Sequence, residues 1–343
     1  MGEPWQAAVD RFCRQYLQLE ADPDFPPKVY LKLPDAQETI YNNVFADGAV
    51  RFPPPVRYQH RILKKLVAEV ESSIDDWDEY AVSDNLMSSL SVLLATPLPP
   101  EADAAQQKCH VTYHLSRLGQ STQHQPSQDD EHITLWENRS LISAGGTTGL
   151  RTWEAALHMG QYLCENATIV GGKRVLELGA GTGYLSILCA NYLGAAHVIA
   201  SDGSDDVIKN LPDNLFLNAL QGSQAIVPMD LKWGHALLGT EEQAWNGGRP
   251  VHVVLGADIT YDKSVIPALI GTLIDLFKLY PQVEVYISAT QRNYDTFQVF
   301  LDNCQANKLG VDDLRYGVPS RAEQTGPFYN DAVEIRTCRI YKS

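Results

Sequence analysis

A glycine-rich turn near the middle of the chain has the residue types that bind a ligand through backbone N–H groups. The turn, ELGAGTG (177–183), overlaps the end of the apolar run KRVLEL (173–178). Glycines in such a turn adopt backbone angles that other residues avoid, and they let the chain come close to a ligand. Asp202 follows the next apolar run and lies 19 residues beyond Gly183. An acidic side chain at about this spacing binds ribose hydroxyls in nucleotide-binding α/β proteins. We therefore predict a nucleoside-containing ligand here, bound by Gly179, Ala180, Gly181, Gly183 and Asp202.

The spacing of the glycines narrows the choice of ligand. A dinucleotide site has the pattern G-x-G-x-x-G, but here the third glycine comes one place early, and Tyr184 occupies its expected position. No Gly-Lys-Ser/Thr follows, so the turn is not a P-loop. E-x-G-x-G-x-G with an acidic residue after the next strand is the combination that S-adenosylmethionine enzymes use. The predicted cofactor is S-adenosylmethionine. Glu177 is predicted on the cofactor side, with a helix N-cap or a core ion pair as alternatives.

The run VHVVLGADITY (251–261) ends in residues suited to hold an acceptor amine. A lysine nucleophile has a free pKa near 10.4, so making it neutral at pH 7 costs roughly 4.6 kcal/mol. An apolar channel lowers that pKa, and an acceptor group orients the amine. Asp258 and Tyr261 are the predicted catalytic residues, as acceptor and channel wall. Because a carboxylate also stabilises the ammonium form, Asp258 is predicted to orient the amine rather than deprotonate it. The alternative is an Asp that caps the following helix.

Two tryptophans are further candidates for contact with the cofactor. Trp233, in DLKWG (230–234), comes after the predicted third strand, where an aromatic ring stacks on a planar base or simply covers a sheet edge. Trp153 opens a helical pattern after the flexible run GGTTG (145–149). The apolar positions that follow it share one helical face, so a place in the core is an alternative for Trp153.

The elements that position these residues are predicted from alternating apolar and helical patterns. Five apolar runs are predicted as strands: 173–178, 197–201, 224–229, 251–257 and 283–289. Four helices are predicted between and after them: 183–193, 204–220, 264–280 and 293–308. Continuous apolar strands separated by helices indicate a doubly wound parallel sheet covered on both faces. The tail AVEIRTCRIYK (332–342) alternates, which is typical of an added edge strand. Asn214 and Asn218 are predicted to make caps or solvent contacts.

Residues 1–132 have a different sequence pattern, mainly helical with polar segments. Apolar residues at helical spacing predict helices over 5–20 and 58–70, and another from Ser83, with Ser83 as its cap. The polar or Pro/Ala-rich segments 96–107 and 119–132 are predicted linkers. We therefore predict two domains: an N-terminal helical extension with its linker over 1–132, and the α/β domain over 133–343.

Composition limits the function classes. With a net charge of −15 in 343 residues, the chain is not suited to direct nucleic-acid binding, which needs clustered Lys and Arg. ADITY also lacks the Pro-Pro of enzymes that methylate base amines. Six scattered cysteines without Cys/His spacing predict buried thiols and no metal site. No run is long and apolar enough for a membrane span, and the N-terminal residues MGEPWQAAVDRF contain no apolar h-region. The prediction is a cytoplasmic protein with no membrane contact.

Taken together, VLELGAGTGYLSI, Asp202, DLKWG and GADITY resemble the class I protein-lysine methyltransferases of the family-16 type. The resemblance implies a seven-stranded Rossmann-like sheet and an Asp/Glu-x-x-Tyr/Phe signature, matched by Asp258 and Tyr261. It implies that Trp153 shields the methionine end of the cofactor. Within the family, GTTGLRTWEAAL (146–157) resembles the branch that methylates a lysine of translation elongation factor 2, up to trimethylation. The cofactor contacts that the resemblance implies are Trp153, Gly179, Ala180, Gly181, Asp202, Trp233 and Ala257.

Two other function classes stay open at the level of the sequence. One is a class I methyltransferase of a different protein or of a small molecule. The other is a noncatalytic binding module with the same fold. Intact Gly179, Gly181, Asp202 and Asp258 count against the second.

Overall fold

The computed structural model describes residues 3–98, 100, 107–118, 131–139, 148–235, 237, 245, 246 and 248–342. Most of the two predicted linkers, together with residues 145–147 of the GGTTG run, lie outside the described residues. The described chain forms two compact units. One consists of described residues within Met1–His114, Thr134–Leu141 and Thr325–Phe328, and the other of those within Leu115–Ile133, Ile142–Gln324 and Tyr329–Ser343. The predicted domain boundary after residue 132 stays a prediction.

The first unit is mainly helical and has its own core. Its helices are α1 (Pro4–Leu17), α2 (Lys28–Leu31), α3 (Pro34–Ile40), α4 (Val56–Ser73) and α5 (Asp84–Ala95), and a π-helical turn (Tyr41–Phe45) follows α3. The three helices predicted here are confirmed as α1, α4 and α5, and the Ser83 hydroxyl accepts the Leu86 N–H at 3.4 Å as the predicted cap. Tyr16 lies fully buried at the centre, with its ring 5.0 Å from that of Phe45.

After α5 the chain forms two strands that the sequence patterns do not predict. They are β1 (Cys109–His114) and β2 (His132–Glu137), and they pair as a two-stranded sheet. The Tyr113 hydroxyl donates to the buried Glu137 carboxylate at 3.0 Å, which satisfies a charge that burial would otherwise penalise.

The described residues of the second unit form a seven-stranded sheet and five helices. The strands are β3 (Arg174–Leu178), β4 (His197–Asp202), β5 (Ile226–Asp230), β6 (Val253–Ala257), β7 (Glu284–Thr290), β8 (Leu309–Asp313) and β9 (Ile335–Lys342). The helices are α6 (Glu154–Glu165), α7 (Tyr184–Asn191), α8 (Asp205–Leu217), α9 (Ile266–Leu279) and α10 (Tyr294–Ala306), and a short 3-10 turn (Ala167–Ile169) follows α6. The strand order is β5-β4-β3-β6-β7-β9-β8, and only β9 pairs antiparallel with its neighbours.

The predicted doubly wound seven-stranded Rossmann-like sheet is confirmed. Successive strand residues point to opposite faces, and the central residues of β3, β4 and β6 are all buried, so both faces are covered. All five predicted apolar strands and the four helices after the glycine turn are present, within a few residues of the predicted bounds.

The position predicted for the tail strand is wrong. β9 forms, but it lies between β7 and β8 rather than at the edge, and β8 is the edge strand. The patterns miss β8 because its sequence, LGVDD, is short, ends in two charges and is half exposed. The cysteines are free, and all are buried except the partly exposed Cys109.

The register of the parallel strands brings the predicted site residues to one edge of the sheet. Leu178 pairs with Ser201 and with Gly256, and Asp202 pairs with Asp230. The segments that follow β3, β4, β5 and β6 therefore leave the sheet side by side. Ligands bind at this carboxyl edge of open α/β sheets.

Candidate cofactor and acceptor site

A cavity of about 340 Å³ lies at this carboxyl edge. Its volume falls within the range of small-molecule pockets, roughly 300–1,000 Å³. Ten of the eleven predicted site residues line it: Trp153, Glu177, Gly179, Ala180, Gly181, Asp202, Trp233, Ala257, Asp258 and Tyr261. Gly183 does not line it. It takes φ 86° at the N-cap of α7, where a Cβ would lie 2.8 Å from Leu211 Cδ2, so its place is set by helix packing.

The glycine turn is shaped by positive backbone angles and close neighbours. Gly179 has φ 69°, and a Cβ there would come within 2.7 Å of Ile259 Cγ2 and 3.4 Å of Trp233 Cζ2. Gly181 has φ 54°, and a Cβ there would lie 3.2 Å from the carbonyl oxygen of Gly149. Both positions therefore require glycine for conformation and for space. Both glycines also line the cavity, so the turn lies where a closely bound cofactor would meet it.

Asp202 ends β4 and fixes the turn while facing the cavity. Its Oδ2 accepts the N–H of Gly181 at 3.1 Å, and its Oδ1 accepts the N–H of Ser204 at 2.9 Å. Burial raises the pKa of this carboxyl, and the backbone N–H groups oppose that rise. Each carboxylate oxygen accepts two hydrogen bonds, so capacity remains for ligand hydroxyls.

Glu177 is fully enclosed in the sheet beneath the turn. The Ser186 hydroxyl, on α7, donates to its Oε2. Burial raises the pKa of Glu177 to about 8, and the hydrogen bonds from Ser186 work in the opposite direction. Neither alternative drawn from the sequence describes it: Gly183 holds the N-cap position of α7, and no ion pair to Glu177 is found among the described residues. Glu177 is one of the residues that line the cavity, and its raised pKa favours the protonated form near neutral pH.

The far wall of the cofactor side is made by Trp233 and Ala257. Trp233 is half-buried, packs against the sheet core and also lines the cavity close to Gly179. Trp233 therefore covers the sheet and at the same time has a ring available to stack on a planar base. Ala257 ends β6, and its small side chain keeps the cavity open at that point.

Trp153 lies at the rim, at the N-cap position of α6. Its Nε1 donates to the carbonyl of Thr148 at 2.9 Å. The guanidinium carbons of Arg151 and Arg292 each lie 4.9 Å from its ring centroid. The ring is half-buried and lines the cavity instead of joining the fully buried core.

Asp258 does not cap the helix that follows it, which begins at Ile266. It takes φ 52°, and its Oδ1 accepts the N–H of Thr290 at 2.8 Å. Its Oδ2 accepts the Thr290 hydroxyl at 2.9 Å and the N–H of Ala155 at 3.4 Å, so the carboxylate lies at the N-terminus of α6. Burial raises its pKa, while Arg292 and Thr290 lower it. The side chain joins the ends of β6 and β7 to the start of α6.

Tyr261 lines the mouth of the cavity and is 57% exposed. No hydrogen bond to its hydroxyl is found within the described part of the chain. A phenol in this position is free to meet an incoming side chain.

Several contributors to the site carry no sequence signal. Thr152 and Thr182 share a hydrogen bond of 2.6 Å between their hydroxyls. Asn214 is buried and donates to the carbonyl of Thr182 at 2.8 Å, so the prediction of a cap or solvent contact for Asn214 is wrong. Arg292 and Thr290 reach the site from the end of β7. Their partners are distant in the sequence, which explains why patterns along the chain miss them.

The described residues show neither a metal-binding cluster nor a membrane-spanning helix. They contain no group of three metal-ligating side chains. None of their helices is long and apolar enough to cross a membrane.

The strand order, the glycine turn and the acidic end of β4 together define the class I methyltransferase fold. A family model described as lysine methyltransferase matches residues 127–307. The protein-lysine N-methyltransferase EFM3 of Chaetomium thermophilum is 57% identical over 330 residues, covering 96% of this chain and 96% of that protein. The chain belongs to the lysine methyltransferase family.

Two further relatives differ in how much of the chain they match. The protein-lysine N-methyltransferase EEF2KMT of Homo sapiens is 27% identical over 346 residues, covering 95% of this chain and 94% of that protein. EFM3 of Saccharomyces cerevisiae is 34% identical over 201 residues, covering 53% of this chain and 56% of that protein. The predicted family is confirmed.

Proposed function

We propose that this chain transfers methyl groups from S-adenosylmethionine to a lysine side chain of translation elongation factor 2, up to trimethylation. The observation that carries the proposal is that the glycine turn and the Asp258–Tyr261 pair line one cavity. A site for a nucleoside cofactor and a site for an acceptor would thus share a single cavity.

The residues of the cofactor side fit S-adenosylmethionine. Gly179 and Gly181 leave the backbone bare beside the cavity, and Asp202 keeps lone pairs for ribose hydroxyls. Trp233 offers a ring for the adenine, and Ala257 leaves space beside it. Trp153 covers the end toward the acceptor. When bound, the cofactor supplies a methyl group on a sulphonium, which is already a good leaving group.

The acceptor side is built to orient an amine and exclude water. Asp258 fixes the geometry of the mouth by binding Thr290 and the start of α6, and Tyr261 provides the wall that a lysine side chain meets. Holding the amine in line with the methyl carbon lowers the activation barrier, because the entropy cost of aligning the two reactants is met when the substrate binds. Trimethylation would need the amine to be presented again after each cofactor exchange.

The choice of substrate rests on the family and on the branch-specific run GTTGLRTWEAAL. The relatives at 57% and 27% identity are both named protein-lysine N-methyltransferases. A chain with net charge −15 is attracted to a basic surface, such as that of an RNA-binding translation factor. The cytoplasm, where translation takes place, is the proposed compartment.

The proposal is tested by incubating the full chain with labelled S-adenosylmethionine and a eukaryotic cell extract. Mass spectrometry of the labelled band should identify elongation factor 2 carrying a methylated lysine. Label found only in another protein, in RNA or in small metabolites would overturn the substrate. No heat of binding for S-adenosylmethionine in calorimetry would point to a noncatalytic module that binds something else.

A variant separates the two halves of the site. Asp258→Ala should lower methylation far more than it lowers cofactor affinity. An equal loss of both would remove the proposed acceptor-side role of Asp258.

A further inference from the structure

Five side chains at the acceptor side of the cavity form a compact charged group around one indole. We call Arg151, Trp153, Glu154, Asp258 and Arg292 the Trp153 cluster. Arg292 Nη1 lies 3.5 Å from Asp258 Oδ2, and Arg292 Nη2 contacts Glu154 Oε2. Arg151 Nη2 lies 3.8 Å from Glu154 Oε1. Both guanidinium groups stand over the Trp153 ring.

The formal charges in the Trp153 cluster cancel. Two guanidinium groups face two carboxylates, and only Arg292 touches both carboxylates. The side chain of Asp258 is 7% exposed, so water does little to screen its charge. Four donors surround its oxygens: the Thr290 N–H, the Thr290 hydroxyl, the Ala155 N–H and Arg292. Little capacity remains for a direct hydrogen bond from an ammonium group.

A carboxylate near the acceptor lysine has two opposing effects at any lysine methyltransferase site. An acidic side chain helps to orient the amine, yet a bare carboxylate favours the ammonium form, which has no lone pair to attack with. A carboxylate paired with a guanidinium keeps its geometry while its field on a nearby amine is largely offset. Arginine suits this task because it does not lose its proton at working pH.

We propose that Arg292 is a positioning residue that offsets the charge of Asp258 beside the acceptor lysine, so that the lysine loses its proton more readily there. The inference rests on the proposed function, since it concerns the same reaction. It also goes beyond the Asp-x-x-Tyr signature, because Arg292 lies outside that signature, 34 residues after Asp258 and just after β7.

Other charged and titratable groups face this position and set its background. On the acceptor side they are Arg151 and Glu154 from the start of α6, and Tyr261 after β6. On the cofactor side they are Glu177, Asp202 and Lys232. Beyond Arg292, the Tyr294 hydroxyl donates to Glu334 Oε2 at 2.7 Å. None of these other groups brings a positive charge into contact with Asp258, whereas Arg292 does.

The test measures single-turnover methylation of purified elongation factor 2 by the full chain between pH 6.5 and 9.5, with saturating S-adenosylmethionine. The rate should rise with pH as the bound lysine loses its proton. Arg292→Gln should move that rise to higher pH by about one unit, which is about a tenfold loss near pH 7 and none at the plateau. A loss by the same factor at every pH, or no loss, would overturn the proposal.

Three further variants separate charge from shape. Arg292→Lys keeps the charge and should leave the rise near the wild-type pH. Arg292→Gln combined with Asp258→Asn removes both charges and should return the rise toward the wild-type pH. Arg336→Gln is the matched control, because Arg336 pairs with the carboxylate of Asp313 at 3.0 Å and lies over the Phe297 ring at 5.0 Å, away from Asp258 and Trp153. Arg336→Gln should leave the pH dependence of methylation unchanged. If Arg336→Gln shifts the rise as far as Arg292→Gln does, the assignment to Arg292 is wrong.

The design separates two failures. If the wild-type chain does not methylate the factor, the proposed function fails and the inference falls with it. If the wild-type chain methylates and Arg292→Gln keeps the wild-type pH dependence, only the inference fails.

Discussion

Thr290 donates twice to Asp258, through its backbone N–H at 2.8 Å and its hydroxyl at 2.9 Å. The pair joins the ends of β6 and β7, which are neighbours in the sheet. Asp258 leaves its strand with φ 52°, a conformation that costs a non-glycine residue about 1 kcal/mol or more. The two hydrogen bonds offset that strain, so the acceptor side of the cavity depends on a residue outside the Asp-x-x-Tyr signature.

Thr290→Val should therefore weaken the acceptor side without touching the cofactor side. Valine keeps the shape and the N–H but removes the hydroxyl, so the free energy of unfolding should fall by about 1 kcal/mol. Methylation should fall by roughly tenfold, in proportion to one lost hydrogen bond, while the Kd for S-adenosylmethionine changes less than about twofold. Urea unfolding, methylation rates and calorimetry measure the three quantities.

The matched control for Thr290→Val is Thr337→Val on β9. Thr337 is buried, and its hydroxyl shares a 3.0 Å hydrogen bond with the Ser288 hydroxyl rather than with the Asp258 carboxylate. It should cost comparable stability and leave methylation unchanged. Equal effects of the two variants on methylation would mean that the sheet, not the contact to Asp258, controls the rate.

The glycine turn allows the cost of a backbone angle to be separated from the cost of a clash. Gly179→Ala places a Cβ 2.7 Å from Ile259 at φ 69°, whereas Gly194→Ala places one at φ 67° with nothing within 4 Å. Both variants should lose about 1 kcal/mol for the positive angle. Gly179→Ala should lose more and should also weaken cofactor binding. Similar unfolding and binding curves for the two variants would show that the close approach to Ile259 has no energetic importance.

The sequence predicted the parts of the site that depend on local pattern. β3, β4 and β6 are continuous apolar runs, and the residues after them necessarily meet at one edge of a parallel sheet. Glu154 and Arg292 are 138 positions apart, and nothing along the chain pairs them. The place of β9 also depends on which neighbours it finds, and its alternating pattern suits an interior strand and an edge strand alike. Patterns thus predict which edge carries the site, while tertiary contacts decide which polar groups complete it.

Glu177 gives a pH dependence with a definite sign. Its pKa rises from 4.5 to about 8 on folding because of burial, so the folded chain binds a proton that the unfolded chain releases. Stability from this group is complete below pH 4.5 and is lost as the pH rises toward 8. Glu177→Gln keeps an oxygen for the Ser186 hydroxyl and carries no charge. Its free energy of unfolding relative to wild type should therefore increase steadily between pH 5 and pH 8, as followed by urea unfolding at several pH values. A difference that stays constant across that range would show that Glu177 is ionised in the folded chain.

Tyr261 offers a test in which folding and function separate. The residue is 57% exposed at the mouth of the cavity, so removing the hydroxyl should change the free energy of unfolding by less than about 0.5 kcal/mol. Tyr261→Phe should nevertheless lower kcat/KM for the protein substrate by roughly tenfold, the value of one hydrogen bond made to the acceptor side. Tyr294→Phe is the matched control, because Tyr294 is 66% exposed and bonds Glu334 but does not line the cavity. If the two phenylalanine variants methylate equally well, the Tyr261 hydroxyl does not meet the substrate, and only its ring shapes the channel.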